Sequence, residues 1–319
     1  MERAIYEAFV ETVFREARIE DCARLSDLLA TAVRRALPEI CLGETDDGAV
    51  ADDLTAQGTA RVGDLLTHDQ IKQTCRHFET RDAFAEHVDA DEAGTLRPVA
   101  DLARDSHFAG FPATTVLAAP NLLEAANDPR VLAVAERYLG CPPTLFQISA
   151  WWSFPGHARR ARYTQTFHRD GKYRHCKLFI YLTDVDDEAG PHEVVIRSHD
   201  IDTIKDALRR TGHAERHWPA LFPAAGYVRD QIIDGVFADR IKRFLGPAGS
   251  SFLVNTFCLH RAVPPKSRPR LIAVASYGMF PQFRDARIAL GPAVRASLAS
   301  RLPDTPRSRF INRELIEFS

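Results

Sequence analysis

After residue 143 the sequence changes from helical spacing to short runs of β-branched and aromatic residues, and this change constrains the fold more than any other feature. The first run ends at Pro155-Gly156, a turn signal. Several short strands separated by turns, without regular strand–helix alternation, predict a sandwich or barrel such as a jelly roll. The predicted strands lie at 144–154, 175–184, 193–197, 250–259 and 270–279.

The first part of the chain has helical spacing instead. Apolar residues from Leu25 to Leu37 recur at helical intervals, and Pro38 ends the pattern. Thr67, followed three residues later by Gln70, is typical of a capping box at a helix start. The predicted helices are 23–37, 67 to about 87, and 122–139, and the acidic, glycine-containing segments 43–60 and 88–100 are predicted loops.

Together these patterns predict a single domain over residues 1–319. Residues 1–143 are expected to form a mainly helical N-terminal region, and residues 144–280 a strand-rich core. Helical segments at 201–245 are predicted to interrupt that core, and residues 281–319 are left as a C-terminal tail.

Charge and composition exclude several classes of partner. The net charge of −2 lacks the strong basic excess of a general nucleic-acid binder. No stretch approaches the roughly 20 consecutive apolar residues of a membrane span. Six cysteines without a CxxC pair, behind an N-terminus without an apolar leader, are typical of reduced thiols. We therefore expect a cytoplasmic protein with a small-molecule substrate, and the sequence leaves its oligomeric state open.

Three residues are candidates for a mononuclear metal site. Residues i and i+2 of a strand point the same way, so His168 and Asp170 can deliver an imidazole and a carboxylate from one short segment. His260 follows the apolar run at 250–259 and can supply a second imidazole. Two imidazoles and one carboxylate on one face of a metal leave positions open for substrate and O2, as non-haem Fe(II) oxygenases require.

Other histidines have simpler interpretations. A second His-x-Asp, His87-Val88-Asp89, lies beside an acidic segment and is typical of a solvated loop. His213 and His217 have the helical spacing of zinc ligands but lack the accompanying general-base glutamate, which favours a surface helix. His192 and His199 flank a predicted strand, where either can be a turn histidine.

Arg270 begins the predicted strand 270–279 and has a constrained position. Period-2 alternation places it on one face with Ile272, Val274 and Ser276. An arginine on a largely apolar face needs a partner, because an unpaired buried charge is costly. A bound dicarboxylate fits the guanidinium fork, and a structural ion pair with an Asp or Glu is the alternative.

These segments together resemble the phytanoyl-CoA dioxygenase family of Fe(II)/2-oxoglutarate oxygenases. The resemblance covers roughly residues 120–280. It rests on NLLEAANDPRVLAVAERYLG, on QTFHRD with the His-x-Asp pair, on KLFIYLTDVDDEAGPHEVVIRSH, and on GPAGSSFLVNTFCLHRAVPPKSRPRLIAVASYG.

The resemblance implies a double-stranded β-helix core of jelly-roll type, in an α+β and mainly β fold with a helical N-terminal region packed on it. It implies Fe(II), 2-oxoglutarate and O2 as cofactors. His168, Asp170 and His260 correspond to the catalytic iron ligands, and Arg270 to the arginine that binds 2-oxoglutarate.

The sequence departs from the family pattern at one position. Some members carry a hydroxyl residue two positions after the distal histidine to help hold the far carboxylate of the co-substrate, and this chain has Ala262 there. An intact Asp170 argues against halogenation, since related halogenases carry a small residue at that position. The candidates to replace the hydroxyl are Ser276, Thr183, Lys177 and Tyr181.

The substrate is constrained only loosely. Hydroxylation of an unactivated C–H bond in a small polar or anionic metabolite is the expected reaction, with desaturation, epimerisation and cyclisation as alternatives. Basic side chains flank the ligand pair and can grip an anionic group or simply line a solvated loop. Trp151 and Trp152 have opposite parity, so one should face inward, as a core residue or a pocket wall. The candidate substrate residues are Trp152, Arg159, Arg162 and Arg174.

Two other functions remain open at this point. A metal-binding jelly roll with isomerase or dioxygenase chemistry would keep the three ligands and give Arg270 no co-substrate role. A non-catalytic binding protein would keep the fold without turnover, although an intact ligand set is unexpected in such a protein.

Overall fold

The structure is a computed structural model that describes residues 17–41, 48–85, 95–156, 163–171, 173–213, 218–279 and 292–316. Its strands are β1 Thr59–Arg61, β2 Asp82–Ala83, β3 Arg97–Pro98, β4 Phe108–Gly110, β5 Thr144–Ser153, β6 His168–Asp170, β7 His175–Tyr181, β8 His192–Val195, β9 Ala225–Tyr227, β10 Ile241–Phe244, β11 Ser251–Asn255, β12 His260–Ala262 and β13 Arg270–Gly278.

The described α-helices lie mostly before β5 and after β8. They are α1 Ile19–Ala36, α2 Gly48–Gln57, α3 His68–Glu79, α4 Val99–Asp105, α5 Ala113–Ala118, α6 Leu122–Ala126, α7 Pro129–Leu139, α8 Ile201–Thr211, α9 Trp218–Leu221, α10 Asp230–Phe237, α11 Pro292–Ala299 and α12 Pro306–Asn312. None of the helices in the described ranges is both long and apolar enough to cross a membrane.

Two antiparallel sheets form the strand-rich part. A six-stranded sheet, the large sheet, has the order β1-β11-β7-β13-β5-β4. A five-stranded sheet, the small sheet, has the order β10-β8-β12-β6-β9. Every pairing within them is antiparallel, as expected for short strands joined by turns. The fold is therefore a mixed helix and sheet structure, as the sequence predicts.

The two faces of the large sheet have different neighbours. One face packs on the helices in the main core, where Leu178 and Leu271 are fully buried. Side chains of opposite parity form a second cluster with residues of the small sheet, so the two sheets share an apolar interior. This inner cluster consists of Phe179, Tyr181, Val185, Ala189, Val194, Phe244, Phe252, Val254, Cys258, Ile272 and Val274.

Local sequence signals locate several helix ends. The capping box at Thr67 is present: the Gln70 amide donates to Thr67 Oγ1, and the Thr67 amide donates to Gln70 Oε1. The helix that follows ends at Glu79, earlier than predicted. The helix predicted at 122–139 is divided into α6 and α7, because Asp128 caps a new helix that begins at Pro129.

Two predicted segments are wrong because tertiary pairing overrides local pattern. The segment 43–60, predicted as a loop, contains α2 and β1, and β1 pairs with the edge of β11. The segment 201–245 contains α8 and α10 as predicted, but also β9 and β10, which form the two edges of the small sheet. Short edge strands carry little periodicity, and their partners lie far away in sequence. The single-domain boundaries stay a prediction.

The strand predicted at 250–259 ends at Asn255, and a tight turn separates it from β12, which begins at His260. Asn255 Oδ1 accepts a hydrogen bond from the Phe257 amide at 3.0 Å, and the Cys258 amide donates to the Asn255 carbonyl at 2.9 Å. The turn transfers the chain from β11 in the large sheet to β12 in the small sheet. His260 therefore begins a strand of its own beside β6 and β8.

Gly190 is expected to be intolerant of substitution. It has φ +74°, and an added Cβ would lie 2.7 Å from Pro265 N and closer still to the Val263 carbonyl. Gly212 has a similar φ of +70° with nothing within 4 Å, so it is a matched control for backbone strain alone. Gly212→Ala should lower the free energy of unfolding by about 1 kcal/mol. Gly190→Ala should lower it by at least about 3 kcal/mol, because steric overlap adds to the strain. Urea unfolding of both variants measures the difference, and equal losses would contradict the proposed packing.

Candidate metal and co-substrate site

The three predicted metal ligands converge at one point. β6 pairs with β12 so that His168 lies directly opposite His260, and both side chains are on the interior face of the small sheet. Nε2 of His168 is 3.5 Å from Asp170 Oδ1, and Nε2 of His260 is 3.3 Å from Asp170 Oδ2. The three ligand atoms all lie within 4.8 Å of one another. Two imidazoles and one carboxylate in this arrangement can hold one metal ion.

Backbone carbonyls orient both imidazoles. His168 Nδ1 is 2.8 Å from the Thr166 carbonyl, and His260 Nδ1 is 2.9 Å from the Cys258 carbonyl. A carbonyl only accepts hydrogen bonds, so each Nδ1 carries the proton and each Nε2 presents its lone pair to the shared point. The backbone thereby fixes the tautomer and ring orientation that a metal ligand needs.

Arg169, between the two ligands in sequence, points away from them and anchors the strand. It is buried, its Nε donates to the Phe257 carbonyl at 2.7 Å, and Nη2 donates to the Ser198 carbonyl at 2.8 Å. The first bond ties β6 to the turn before β12, and the second ties it to the segment after β8. Burial lowers the pKa of Arg169 to about 10. The sequence analysis did not single out this residue, although strand parity between two ligands already directs its side chain to the other face.

Charge and burial at the triad favour an ionised Asp170 and a neutral His168. Lys177 Nζ is 2.6 Å from Asp170 Oδ2. Burial raises the pKa of Asp170, but Lys177 and the two triad histidines outweigh it and hold the pKa well below the usual range. Burial and the neighbouring His260 lower the pKa of His168 to about 4. These are the protonation states in which Asp170 and His168 can bind a cation.

Arg270 is buried in the interior without a carboxylate partner among the described residues. It lies opposite Ser153 in the β13–β5 pair and is 2% exposed. Nη1 donates to the Val263 carbonyl and Nη2 to Ser153 Oγ, both at the long distance of 3.4 Å, and Nε has no hydrogen-bond partner. Burial lowers the pKa of Arg270 from the usual arginine value. The guanidinium therefore has unused donors inside the protein.

Other predicted co-substrate residues lie elsewhere along the interior. Ser276 is directly opposite Lys177, which contacts the metal ligand Asp170. Six residues separate Ser276 from Arg270 on one strand, a distance of roughly 20 Å. Ser276 and Lys177 thus lie near the candidate ligand Asp170 and away from Arg270, and a co-substrate role for either stays a prediction. The Thr183 hydroxyl accepts a hydrogen bond from the Leu271 amide at 3.1 Å, so this oxygen is already paired with the backbone.

The two candidate substrate residues that the structure describes, Trp152 and Arg174, have other contacts. Trp152 packs in the main core on the helix side of the large sheet, and Trp151 is the tryptophan that contacts the inner cluster. Trp151 is therefore the tryptophan that faces the interior between the sheets, and a substrate role for Trp152 stays a prediction. Arg174 Nη1 forms an ion pair with Asp27 at 2.7 Å, which engages it against α1. Arg159 and Arg162 lie outside the described residues, as do His87 and His217.

Two residues of the site were not assigned to it from the sequence. His192 is not a turn histidine: it is buried in the interior, with its ring centroid 5.6 Å from that of His260. Tyr227 lies directly opposite His168 on edge strand β9, its ring centroid 5.8 Å from that of His168. Tyr227 is 59% exposed, so a surface aromatic ring lies next to the buried His168.

The sequence matches the phytanoyl-CoA dioxygenase family over residues 54–270. No curated protein matches the chain. Among solved structures, HygX from Streptomyces hygroscopicus with nickel and 2-oxoglutarate bound is 17% identical, with a TM-score of 0.46 and coverage of 77% of this chain and 93% of that one. SnoN, a non-haem α-ketoglutarate-dependent epimerase from nogalamycin biosynthesis, is 16% identical, with a TM-score of 0.46 and coverage of 73% and 82%. The family assignment rests on the sequence match.

Removing one imidazole should abolish tight metal binding. His260→Ala is expected to weaken Co(II) affinity at least about 100-fold, because loss of a direct ligand should exceed the 10- to 100-fold cost of losing a ligand's supporting partner. His68→Ala, at an exposed position on α3, is the control and should bind Co(II) as the wild type does. Calorimetric titration and the Co(II) visible spectrum measure both. Equal affinities in the two variants would exclude the triad as the binding site.

The metal-free protein should lose stability as the pH falls from about 6.5 to about 4. Burial lowers the pKa of His168 and of His175 to about 4, so the unfolded chain binds protons in this range that the folded chain does not. His175→Gln removes one such group and should reduce the slope of unfolding free energy against pH by up to about 1.4 kcal/mol per unit. Urea unfolding at pH steps measures the slope, and an unchanged slope would contradict the buried, neutral state of His175.

Proposed function

The chain belongs to the phytanoyl-CoA dioxygenase family, and from that premise and the site geometry we propose that it is an Fe(II)- and 2-oxoglutarate-dependent oxygenase. We also propose that its strand-rich part is a double-stranded β-helix. Two antiparallel sheets that share one apolar interior support that architecture. The ligand triad lies at one end of this interior, and the exposed ring of Tyr227 lies beside it.

The buried guanidinium of Arg270 is the observation that carries the proposal. A charge in an apolar interior is costly unless it is paired, and no carboxylate within the described ranges pairs with this one. Arg270 Nη1 contacts the carbonyl of Val263, which is three residues after the ligand His260 in the sequence. A molecule that bridges the triad and Arg270 must therefore have a metal-binding end and an anionic end. The 2-oxo acid and the far carboxylate of 2-oxoglutarate supply both.

The residues of the triad fit iron. Imidazole and carboxylate donors suit Fe(II), and a set of two histidines and one carboxylate is the donor set of non-haem oxygenases. His168 and His260 would bind through Nε2, and Asp170 through its carboxylate. Iron bound in this site would supply the oxidation of a C–H bond by O2. 2-Oxoglutarate would be converted to succinate and CO2 in the same reaction. Lys177 keeps Asp170 ionised and oriented by its contact with Oδ2.

The proposed reaction is hydroxylation of an unactivated C–H bond in a small polar or anionic metabolite. Asp170 is retained, so the carboxylate that chloride would have to displace is present. The cation of Lys177 beside the triad favours an anionic or strongly polar substrate. Tyr227 offers an exposed aromatic face next to His168, against which a substrate can pack.

Replacement of Arg270 should abolish 2-oxoglutarate binding while metal binding persists. Anaerobic wild-type protein with Fe(II) is expected to develop a weak visible charge-transfer band on addition of 2-oxoglutarate. Arg270→Ala should raise the dissociation constant at least about 30-fold, since it removes one partner of a buried charge pair. Arg270→Lys keeps the charge without the fork and should show an intermediate loss. Succinate formation under air should fall in parallel.

Arg268 provides the matched control for that experiment. It lies two residues earlier, is exposed and pairs with Asp186, so Arg268→Ala should leave 2-oxoglutarate affinity unchanged. Thermal unfolding of each variant checks that the fold survives. A wild type that binds Fe(II) but gives neither band nor succinate would overturn the oxygenase assignment and favour a metal protein without 2-oxoglutarate chemistry. Equal losses of 2-oxoglutarate affinity in the two alanine variants would exclude the role of Arg270 but would leave the oxygenase assignment intact.

A further inference from the structure

A second nitrogen in the interior lacks a partner. His192 is 4% exposed, and its Nε2 makes no hydrogen bond to any described residue. Buried polar atoms in folded proteins are nearly always hydrogen-bonded, so an unpaired imidazole nitrogen calls for an explanation. The only other unpaired nitrogen described on the interior side of the sheets is Nε of Arg270.

Strand register places His192 at the depth of Arg270. In the β8–β12 pair, Val194 lies opposite His260, and His192 lies opposite Ala262, one step further from the metal ligands. The next residue, Val263, supplies the carbonyl that Arg270 Nη1 contacts. His192 and Arg270 therefore approach the same level of the interior from the two sheets. Ala262, which lies opposite His192, has a methyl side chain that cannot hydrogen-bond.

The neighbours of His192 cannot satisfy its ring. Phe179 lies with its centroid 4.3 Å from that of His192, and Phe252 at 5.8 Å, so two sides of the imidazole are apolar. Tyr181 is already engaged, because its hydroxyl donates to the Phe244 carbonyl at 2.9 Å and accepts from the His192 backbone amide at 3.0 Å. The aromatic contacts hold the ring in place, and Nε2 has no acceptor within the ranges that the structure describes.

We infer that His192 is a co-substrate-binding residue, whose Nε2–H donates to the same far carboxylate of 2-oxoglutarate that Arg270 binds. The inference rests on the proposed function. A carboxylate offers about four acceptor positions, so it can take a guanidinium fork and an imidazole at once. The imidazole supplies the second donor at a level where Ala262 provides none. It also makes the site selective for a 2-oxo acid with a second carboxylate.

The test compares two ligands that differ only at the far end. Anaerobic Fe(II) protein is titrated with 2-oxoglutarate and with 2-oxopentanoate, which has a methyl group in place of the far carboxylate, and the visible band reports both. His192→Phe keeps the ring volume and removes the donor. It should weaken 2-oxoglutarate binding about 10- to 100-fold, as expected for a hydrogen bond to a charged group, and should change 2-oxopentanoate binding less than about 3-fold.

Two amide variants separate hydrogen bonding from packing. His192→Gln places its amide near the position of Nε2 and should bind 2-oxoglutarate within about 5-fold of the wild type. His192→Asn carries the same amide one methylene shorter and should be weakened about as much as His192→Phe. Because both amides are polar and similar in size, this pair keeps the test decisive if His192→Phe does not fold. Phe252→Leu, which alters packing against the same ring, should affect the two ligands equally.

The outcomes distinguish this inference from the proposed function. If wild-type Fe(II) protein gives no band with 2-oxoglutarate, the proposed function fails. If the wild type gives the band but His192→Phe weakens both ligands equally, the residue has only a packing role and the inference is overturned. It is also overturned if His192→Phe binds 2-oxoglutarate as the wild type does, or if the Gln and Asn variants are equally weak. The inference is supported if His192→Phe loses affinity for 2-oxoglutarate but not for 2-oxopentanoate, and if His192→Gln, but not His192→Asn, retains 2-oxoglutarate affinity.

Discussion

The backbone pairing of β12 with its two neighbours determines where every group of the site lies. One residue pair sets His260 opposite His168, and the adjoining strand sets Val194 and His192 on the same interior face. Because side chains alternate across a strand, a register shift of one residue would turn His260 towards the outer face of the sheet. The strand is only three residues long, so its position depends on contacts around it. Those contacts include the Asn255 turn and the carbonyl bonds of Arg169.

Unpaired positive charge in an apolar interior is the second constraint, and it gives the site its chemical identity. Arg270 and Lys177 face the same cavity side of the large sheet from opposite ends, with Asp170 as the paired carboxylate at the metal end. The interior therefore has a metal-binding end that is internally neutralised and a far end that is not. A carboxylate placed at Arg270 would pair the one charge in this interior that has no carboxylate partner among the described residues.

Strand parity and spacing, together with the resemblance to the family's motifs, predicted the convergent triad. Local pattern alone predicted the face of Arg270 and the capping box at Thr67. Three features of the structure could not be predicted from the sequence pattern. Sharing a face does not give distance along a strand, which is why Ser276 was expected near Arg270 and lies at the other end. The depth of His192 depends on register between strands far apart in sequence. Edge strands such as β10 form only where a partner strand is available, so local pattern predicted helix there.

The segment between His260 and Arg270 has a role that goes beyond joining two strands. Its first part is fixed from both sides, because Val263 accepts from Arg270 and the 263–265 backbone lies against Gly190. These contacts fix the distance between His260 and the guanidinium of Arg270. On the proposed function, that distance sets the length of the carbon chain that can bridge the two groups. Relatives with a different segment between these two residues would be expected to bind acids of a different chain length while keeping the same three ligands.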